Sequence, residues 1–147
     1  MAGVAIITGA SAGIGRATAE LFLASGWQVG LWARKAAALE EIAAPYPERA
    51  LVLTCDVTDT EAVEAAFTAT VARFGPLDFL FNNAGISRPA GLIDEIPLAD
   101  WRYTVAVNLD GMFLCARAAF VRMPRKDPQV GRIVNNGSIS VHVPRPG

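Results

Sequence analysis

The hydrophobic positions of this chain form short, nearly unbroken apolar runs that alternate with stretches of helical spacing. The apolar runs have the length of strands buried on both faces and lie at residues 4–8, 28–33, 50–55, 78–81 and 132–136. The stretches between them predict helices at residues 14–24, 35–44, 61–74 and 99–123. Such alternation favours right-handed crossovers between parallel strands. We therefore predict an α/β fold, a doubly wound parallel sheet with helices on both faces, formed by residues 1–147 as one domain.

Some residue types within these segments predict specific contacts. Thr58 and Glu61 have the spacing of a capping box, so we expect them to open the third helix. Gly111 lies inside the long fourth helix, where glycine costs about 1 kcal/mol relative to alanine, and we expect a close packing contact there. One face of the first helix is predicted to carry Ile14, Ala17, Leu21, Phe22 and Ser25. Residues 125–131 are predicted to form a polar turn and residues 141–147 a loop.

Composition narrows the class of protein. The chain has 147 residues, about one domain's length, with 52% hydrophobic and 18% charged residues, as in soluble globular proteins. The net charge of −1 does not favour binding to nucleic acid or to an anionic membrane. No uninterrupted apolar run reaches the roughly 18 residues of a membrane span, and the chain begins on a strand without a signal-peptide pattern. We expect a cytoplasmic protein without nucleic-acid or membrane partners.

The cysteine and histidine content gives no metal-ligand spacing, so no metal site is predicted. Cys55 ends a strand pattern and Cys115 lies in a helix pattern, and we expect both to be buried, reduced thiols. His142 is the only histidine, and we interpret it as a loop residue.

A glycine-rich segment connects the first strand to the first helix. Residues 8–15 read Thr-Gly-Ala-Ser-Ala-Gly-Ile-Gly. Glycines in such a turn let the backbone bend tightly and approach a ligand closely. The helix that follows offers free N–H groups and the positive end of its dipole, which suit a phosphate. We therefore predict that a dinucleotide pyrophosphate binds over Gly13, Ile14 and Gly15.

Polar residues also follow the other predicted strands. Arg34 follows the second strand, Asp56 the third, residues 82–85 the fourth and Ser138 the fifth. In a doubly wound sheet the ligand binds at the carboxyl ends of the strands, near the point where the strand order reverses. These residues are therefore predicted to meet at one site.

The same segments resemble the short-chain dehydrogenase/reductase family. Residues 8–15 are similar to its TGxxxGxG cofactor loop, and residues 82–85, Asn-Asn-Ala-Gly, to its NNAG element. Residues 55–59 resemble the segment whose aspartate binds adenine, Asn108 the family's helix asparagine, and residues 133–138 its strand-five serine motif. The resemblance extends over all 147 residues in the family's order. It implies a Rossmann-like fold and hydride transfer between a nicotinamide and a small-molecule alcohol or carbonyl substrate.

The resemblance also implies residue roles. Ser138 is expected to stabilise the substrate oxygen as negative charge develops, and Asn108 to bind a water in the proton relay. Ser140 is the alternative candidate for the role of Ser138. Asn108 is alternatively a polar residue on the surface of the helix, and Asp56 is alternatively a helix cap. Residues 83–85 are alternatively only a turn. The candidate cofactor-binding residues are Gly9, Ser11, Gly13, Ile14, Gly15, Arg34, Asp56, Val57, Asn83, Ala84 and Gly85.

One family motif is missing. A catalytic Tyr-x-x-x-Lys follows the serine in the family, with the tyrosine roughly 13 residues on. The chain ends nine residues after Ser138, and its tyrosines, Tyr46 and Tyr103, lie in other elements. We therefore expect an N-terminal part of a longer family member, truncated after the fifth strand and inactive by itself. The alternative is a non-catalytic nucleotide-binding fragment.

The end of the second strand bears on the choice of nicotinamide. Enzymes that bind NAD carry an acid there for the ribose 2′-hydroxyl, and the family pattern aligns Ala33 with that acid. Arg34 and Lys35 follow and suit a 2′-phosphate, so NADP is predicted over NAD. The alternative is that both are an ordinary solvated helix start. The family commonly assembles through its long fourth helix, and an uncovered fifth strand invites pairing, so we expect a homo-oligomer.

Overall fold

Five parallel strands form one sheet in the computed structural model, which describes residues 2–89, 91–123 and 130–143. The strands are β1 (Val4–Thr8), β2 (Gln28–Ala33), β3 (Ala50–Thr54), β4 (Phe79–Asn82) and β5 (Arg132–Asn135). The α-helices are α1 (Gly13–Ala24), α2 (Ala37–Ala43), α3 (Thr60–Phe74), α4 (Leu98–Val105) and α5 (Gly111–Arg122). A π-helical segment, Ala106–Asp110, joins α4 to α5, and a 3₁₀ turn, Ile139–Val141, follows β5.

The order of the strands confirms the predicted doubly wound sheet. It is β3-β2-β1-β4-β5, and each described neighbour pair is parallel. Ile6 of the central strand pairs with Gly30 on one side and Leu80 on the other. The chain thus extends the sheet first in one direction and then in the other, which creates a switch point between β1 and β4.

Two apolar cores lie on opposite faces of this sheet. Successive side chains of a strand point to opposite faces, and in β1 Val4 and Ile6 belong to one cluster while Ala5 and Ile7 belong to the other. The first cluster also contains Trp32, Phe67 and Cys115, and the second Leu23, Leu31 and Leu39. All five residues of β1 are buried because helices cover both faces. The buried central strand therefore fixes the position of the glycine-rich loop at its carboxyl end.

The face of α1 predicted to carry Ile14, Ala17, Leu21, Phe22 and Ser25 is mostly exposed, and a different face of the helix is buried. The buried residues of this helix are Gly15, Ala19 and Leu23, whereas Ile14 and Leu21 are 62% and 64% exposed. A Cβ on Gly15 would overlap the carbonyl oxygen of Gly9, so only a glycine allows the helix to start this close to the loop. That contact sets the rotation of the helix, and residues four and eight positions later lie on the same face.

The predicted capping box of α3 is also wrong. Asp59 is the N-cap, and its carboxylate accepts hydrogen bonds from the N–H groups of Glu61 at 2.9 Å and Ala62 at 3.1 Å. The Thr58 hydroxyl instead donates to Asp56 Oδ1 at 2.8 Å. Aspartate is at least as good an N-cap as threonine, and here it lies one residue nearer the helix.

The long fourth helix contains a local change of winding. A single helix was predicted over residues 99–123, and the structure has α4 and α5 with five π-helical residues between them. Gly111 begins α5, where a Cβ would lie 2.7 Å from Val57 Cγ2 and 3.2 Å from the Val57 carbonyl oxygen. This confirms the predicted close packing at Gly111. It brings the π-helical segment against the end of β3.

By length and composition, the continuous helix Leu98–Arg122 is long and apolar enough to cross a membrane. It has 25 residues and a mean hydropathy of 1.4 in its most apolar stretch, of which 28% is buried in the structure. Core helices of soluble proteins meet the same two criteria, and α5 contributes Cys115, Ala118 and Ala119 to the first core cluster. The absence of a membrane partner remains a prediction.

Two sequence predictions fall partly outside the described residues. The polar turn predicted at residues 125–131 overlaps residues 124–129, and the loop predicted at residues 141–147 includes residues 144–147. Of the described strands, β5 pairs with β4 alone, so its outer edge has no partner within these residues.

Candidate functional site

A cavity of about 340 Å³ opens at the carboxyl ends of the strands, beside the switch point. It receives residues from the loop after β1, the ends of β2 and β3, the loop after β4, and the long helix. Nine of its lining residues were predicted to bind cofactor: Gly9, Ser11, Ile14, Arg34, Asp56, Val57, Asn83, Ala84 and Gly85. The fold thus brings together residues that lie up to 76 positions apart in the sequence (Gly9 to Gly85).

Further lining residues were missed. Ala12, Ala33, Cys55 and Ile86 are immediate neighbours of predicted residues and could have been found by extending each motif by one position. Val107 precedes the predicted Asn108 and could have been found in the same way, whereas no local sequence signal places Tyr103 of the long helix over this cavity. Of the predicted cofactor residues, Gly13 and Gly15 do not line the cavity; Gly15 is buried beneath the loop.

The loop after β1 has the backbone geometry of an anion site. Gly9 and Gly13 have φ values of +64° and +54°, in the left-handed region that favours glycine. The helix start has no side-chain cap and no acidic residue in its first turn. Its first N–H groups therefore remain unpaired within the helix, and the positive end of the dipole is not neutralised. This arrangement suits a phosphate group.

Thr8 ties this loop to the segment after β4. The Thr8 hydroxyl donates to the carbonyl oxygen of Phe81 at 3.3 Å and accepts from the N–H groups of Asn83 and Ala84, each at 2.9 Å. The Asn83 amide in turn donates to the carbonyl oxygens of Thr8 at 3.2 Å and Gly9 at 3.3 Å. Both loops that line the cavity are therefore fixed to each other.

Two pairs of asparagines connect β5 and the residue after it to the same segment. The Asn82 amide donates to Asn135 Oδ1 at 3.0 Å and to the Met112 carbonyl oxygen at 3.1 Å. The Asn136 amide donates to Asn83 Oδ1 at 2.9 Å. The Asn83 side chain thus has a structural function. The strand that leads to Ser138 is aligned with the loop of the cavity by side-chain hydrogen bonds as well as by the sheet.

Asn108 lies in the π-helical segment and binds the loop after β4. Its Oδ1 accepts from the N–H of Ile86 at 2.8 Å, and its Nδ2 donates to the carbonyl oxygen of Ile86 at 2.9 Å. A Cβ on Gly85 would lie 3.3 Å from Asn108 Oδ1, so the loop passes close to the amide. Asn108 therefore positions the cavity wall. Its predicted part in a proton relay stays a prediction.

Ser138 is exposed at the end of β5 and is not among the residues that line the cavity. Its hydroxyl oxygen accepts from the N–H of Ser140 at 3.1 Å, which caps the 3₁₀ turn. A hydroxyl group has one hydrogen to donate in addition to its acceptor capacity, so this bond leaves the Ser138 proton available to a substrate oxygen.

Asp56 contributes a carboxylate to the cavity. Its Oδ1 accepts from the N–H of Thr58 at 3.0 Å and from the Thr58 hydroxyl at 2.8 Å. Oδ2 makes no hydrogen bond to any described residue, so it remains an acceptor for a ligand amine. Asp56 does not cap α3, since Asp59 does so, and the alternative interpretation of Asp56 as a helix cap is wrong.

Arg34 supplies positive charge at the end of β2. It is exposed and lines the cavity, and its guanidinium donates to the Tyr103 hydroxyl at 2.8 Å. Among the described residues, no carboxylate forms an ion pair with Arg34 or Lys35. The charge of Arg34 is therefore free to attract an anionic ligand.

Both cysteines are buried and free, as predicted. Burial, together with the smaller effect of the Asp56 and Asp59 carboxylates, raises the pKa of the Cys55 thiol to about 11. Burial raises the pKa of Cys115 to about 12. Both thiols are protonated at neutral pH, so Cys55 presents an uncharged, weakly nucleophilic wall to the cavity.

Comparison with known proteins gives consistent matches over nearly the whole chain. The model of the family described as short chain dehydrogenase matches residues 3–147. A serine 3-dehydrogenase of Agrobacterium fabrum is 34% identical and aligns with 98% of this chain. A 2-(R)-hydroxypropyl-CoM dehydrogenase of Xanthobacter autotrophicus is 40% identical and aligns with all of it.

A solved structure has the same architecture. The 3-ketoacyl-(acyl-carrier-protein) reductase from Brucella melitensis, complexed with NADH, superposes with a TM-score of 0.91 at 31% identity and covers 97% of this chain. The alignments cover only 57% of the serine 3-dehydrogenase, 60% of the hydroxypropyl-CoM dehydrogenase and 60% of the reductase. The chain thus spans somewhat more than half the length of the proteins it matches.

Proposed function

Since this chain belongs to the short-chain dehydrogenase family, we propose that it binds NADP for hydride transfer between the nicotinamide and a small-molecule alcohol or carbonyl substrate. The observation that carries this proposal is the cavity in which the glycine loop, Arg34, Asp56 and the segment after β4 meet. Names of the relatives, which include dehydrogenases and a reductase, support the reaction class.

The residues present fit a dinucleotide. Side chains at Gly9 or Gly15 would fill the loop, because a Cβ on Gly9 would lie 2.9 Å from Ala84 Cα and one on Gly15 would overlap the Gly9 carbonyl. The start of α1 would hold the pyrophosphate, Asp56 and Val57 the adenine, and Arg34 the ribose phosphate. When bound, the cofactor supplies or accepts the hydride.

The other contributions to the reaction come from the chain's own residues. Ser138 has a hydroxyl proton to donate to the substrate oxygen, and the Asn108 amide keeps the loop at Ile86 in place. Donation to an oxygen that gains negative charge lowers the barrier when the donor is already oriented. The bond from the Ser140 N–H orients Ser138 in this way.

The preference for NADP over NAD rests on charge at the end of β2. Ala33 lies where an acid would accept the 2′-hydroxyl of NAD, and Arg34 lines the cavity next to it. An arginine forms charge-assisted hydrogen bonds with a phosphate, and a carboxylate at the same place would repel it. NAD lacks that phosphate and gains nothing from Arg34.

Titration of the chain with NADP and NAD tests this preference. We expect NADP to bind at least about tenfold more tightly, because a hydrogen bond to a charged group contributes about 1.5–3 kcal/mol. Arg34→Met should bring the two affinities close together by weakening NADP alone. Arg73→Met is the matched control, since Arg73 is an exposed arginine paired with Glu48 at 3.1 Å and does not line the cavity. Equal affinities of the unmodified chain for the two dinucleotides would contradict the proposed preference for NADP.

A second candidate function is dinucleotide binding without catalysis. The 147 residues contain two tyrosines, and the residues four positions after Tyr46 and Tyr103 are Ala50 and Val107, not lysine. The proton donor implied by the family resemblance is therefore missing from these residues, and we propose that they bind the cofactor without turnover. Oxidation of NADPH by the chain with a panel of ketones and aldehydes separates the two candidates, because turnover excludes the second.

The long helix supports a proposal of homo-oligomerisation. Large apolar side chains more than half exposed on it are Leu98, Trp101, Leu109, Phe113, Phe120 and Val121. Exposed apolar surface of this extent is typical of an interface between chains. The net charge of −1 supports a protein without nucleic-acid or anionic-membrane partners, and the two free, buried cysteines support a cytoplasmic location.

Light scattering coupled to size exclusion tests this assembly. We expect a mass of at least twice 15.6 kDa for the unmodified chain and a shift toward the monomer for Phe113→Asp, because a buried carboxylate destabilises an apolar interface. Leu21→Asp is the control, since Leu21 is 64% exposed on α1 and Phe113 is 62% exposed on α5. A monodisperse monomer across the concentration range contradicts the proposal.

A further inference from the structure

A single hydrogen bond joins the two sides of the cavity near the end of β2. The Arg34 guanidinium donates through an NH1 hydrogen to the Tyr103 hydroxyl at 2.8 Å. The two residues are 69 positions apart, and both line the cavity. Arg34 follows β2 and Tyr103 lies in α4, so the bond links the sheet edge to the long helix.

A second arginine also holds the Tyr103 ring in place. The Arg88 guanidinium carbon lies 5.0 Å from the centre of the Tyr103 ring, within the range of a cation–π contact. Arg88 is in turn paired with Asp100 at 3.5 Å, and Asp100 precedes Tyr103 by three residues on the same helix. The ring also packs against the first core cluster. The hydroxyl group therefore has a defined position before any ligand binds.

The chemistry of the phenol decides what this position can do. An arginine side chain loses much conformational entropy when a ligand fixes it in one rotamer. A protein partner that already holds the side chain in that rotamer reduces the entropy lost on ligand binding. A carboxylate partner would also neutralise its charge, whereas the neutral Tyr103 hydroxyl leaves the guanidinium charge available to an anion. The hydroxyl oxygen accepts from Arg34 and so fixes the guanidinium without a charged partner.

We propose that Tyr103 is a specificity-determining residue that positions the Arg34 guanidinium for the 2′-phosphate of NADP. This inference rests on the proposed preference for NADP and adds a positioning residue from a distant helix. It concerns the phosphate-bearing dinucleotide alone, because NAD has no group for Arg34 to bind.

Calorimetric titration of Tyr103→Phe with NADP and with NAD tests the role. Phenylalanine keeps the ring beneath Arg88 and removes only the hydroxyl. We expect the Kd for NADP to rise by about five- to tenfold, less than for loss of a hydrogen bond to a charged group because Arg34 itself is retained, and the Kd for NAD to change by less than about twofold. The matched control is Tyr46→Phe, which removes the other tyrosine hydroxyl of the chain from a residue that packs against the second core cluster. Unchanged NAD binding also reports that the variant is folded.

A double-mutant cycle with Arg34→Met separates positioning from independent contact. If Tyr103 acts through Arg34, Tyr103→Phe should have no further effect on NADP binding in the Arg34→Met background. An equal loss in both backgrounds overturns the positioning role, as does a Tyr103→Phe variant that retains the full preference for NADP. A parent chain that binds the two dinucleotides equally, or neither of them, overturns the proposed NADP function itself and this inference with it.

Discussion

Alanine in place of Gly15 is expected to abolish dinucleotide binding and to lower the free energy of unfolding by about 3 kcal/mol. The added Cβ would overlap the carbonyl oxygen of Gly9 and lie 2.5 Å from Asn83 Nδ2. Alanine favours a helix over glycine by about 1 kcal/mol, but the overlap with backbone outweighs this gain. To relieve it, α1 must move away from the loop, and its first N–H groups then leave the phosphate position.

The measurements are calorimetric titration with NADP and denaturant unfolding. Gly91→Ala is the matched control, since a Cβ on Gly91 meets no atom within 4 Å and its φ is not positive. We expect Gly91→Ala to leave both quantities near those of the parent chain. If Gly15→Ala binds NADP as tightly as Gly91→Ala does, phosphate binding does not require the close approach of α1 to the loop.

The residues of the cavity could largely be predicted because they follow strand ends. A parallel sheet brings all its carboxyl ends to one edge, so a local signal such as the glycine loop or Asp56 acquires a position from topology alone. Tyr103 could not be found in this way. Its place over the cavity depends on how the long helix packs, and Gly111 against Val57 is part of that packing.

Sequence patterns failed where two local solutions compete. Thr58 and Asp59 are both suitable caps, and the choice of Asp59 left Thr58 to bind Asp56. On α1 the apolar residues Ile14 and Leu21 form a regular stripe, yet the close contact at Gly15 rotates them to the exposed side. On α1 a contact with a neighbouring segment decided the outcome, and at α3 two adjacent caps of similar local energy competed.

The asparagines after β4 illustrate a different limit. The motif in residues 82–85 predicted cofactor contact, and Asn83 does line the cavity. Its side-chain amide, however, is used in hydrogen bonds to Thr8, Gly9 and Asn136. Those partners lie more than 50 positions away in the sequence, so the structural function of the amide became visible only in the fold.

Thr8 is the centre of that network, and Thr8→Val is expected to lower the free energy of unfolding by about 3 kcal/mol or more. The side chain is almost completely buried, at 1% exposure, and valine has nearly the same shape. The substitution removes the acceptor of the Asn83 and Ala84 N–H groups, each at 2.9 Å. A buried donor left without a partner costs about 1–3 kcal/mol, and the substitution leaves two part-buried donors without partners at once.

Thr70→Val is the control for Thr8→Val, because Thr70 is also buried, at 0% exposure. Its hydroxyl donates at 2.9 Å to the carbonyl oxygen of Ala66, one turn earlier in the same helix, so its loss deprives no backbone N–H of a partner. We expect Thr70→Val to cost less than about 1 kcal/mol in urea unfolding. Equal losses of unfolding free energy in the two variants would mean that the destabilisation comes from replacing a buried threonine and not from breaking the connection between the two loops. A larger loss for Thr8→Val, accompanied by weaker NADP binding, assigns to this one hydroxyl the alignment of the two loops that line the cavity.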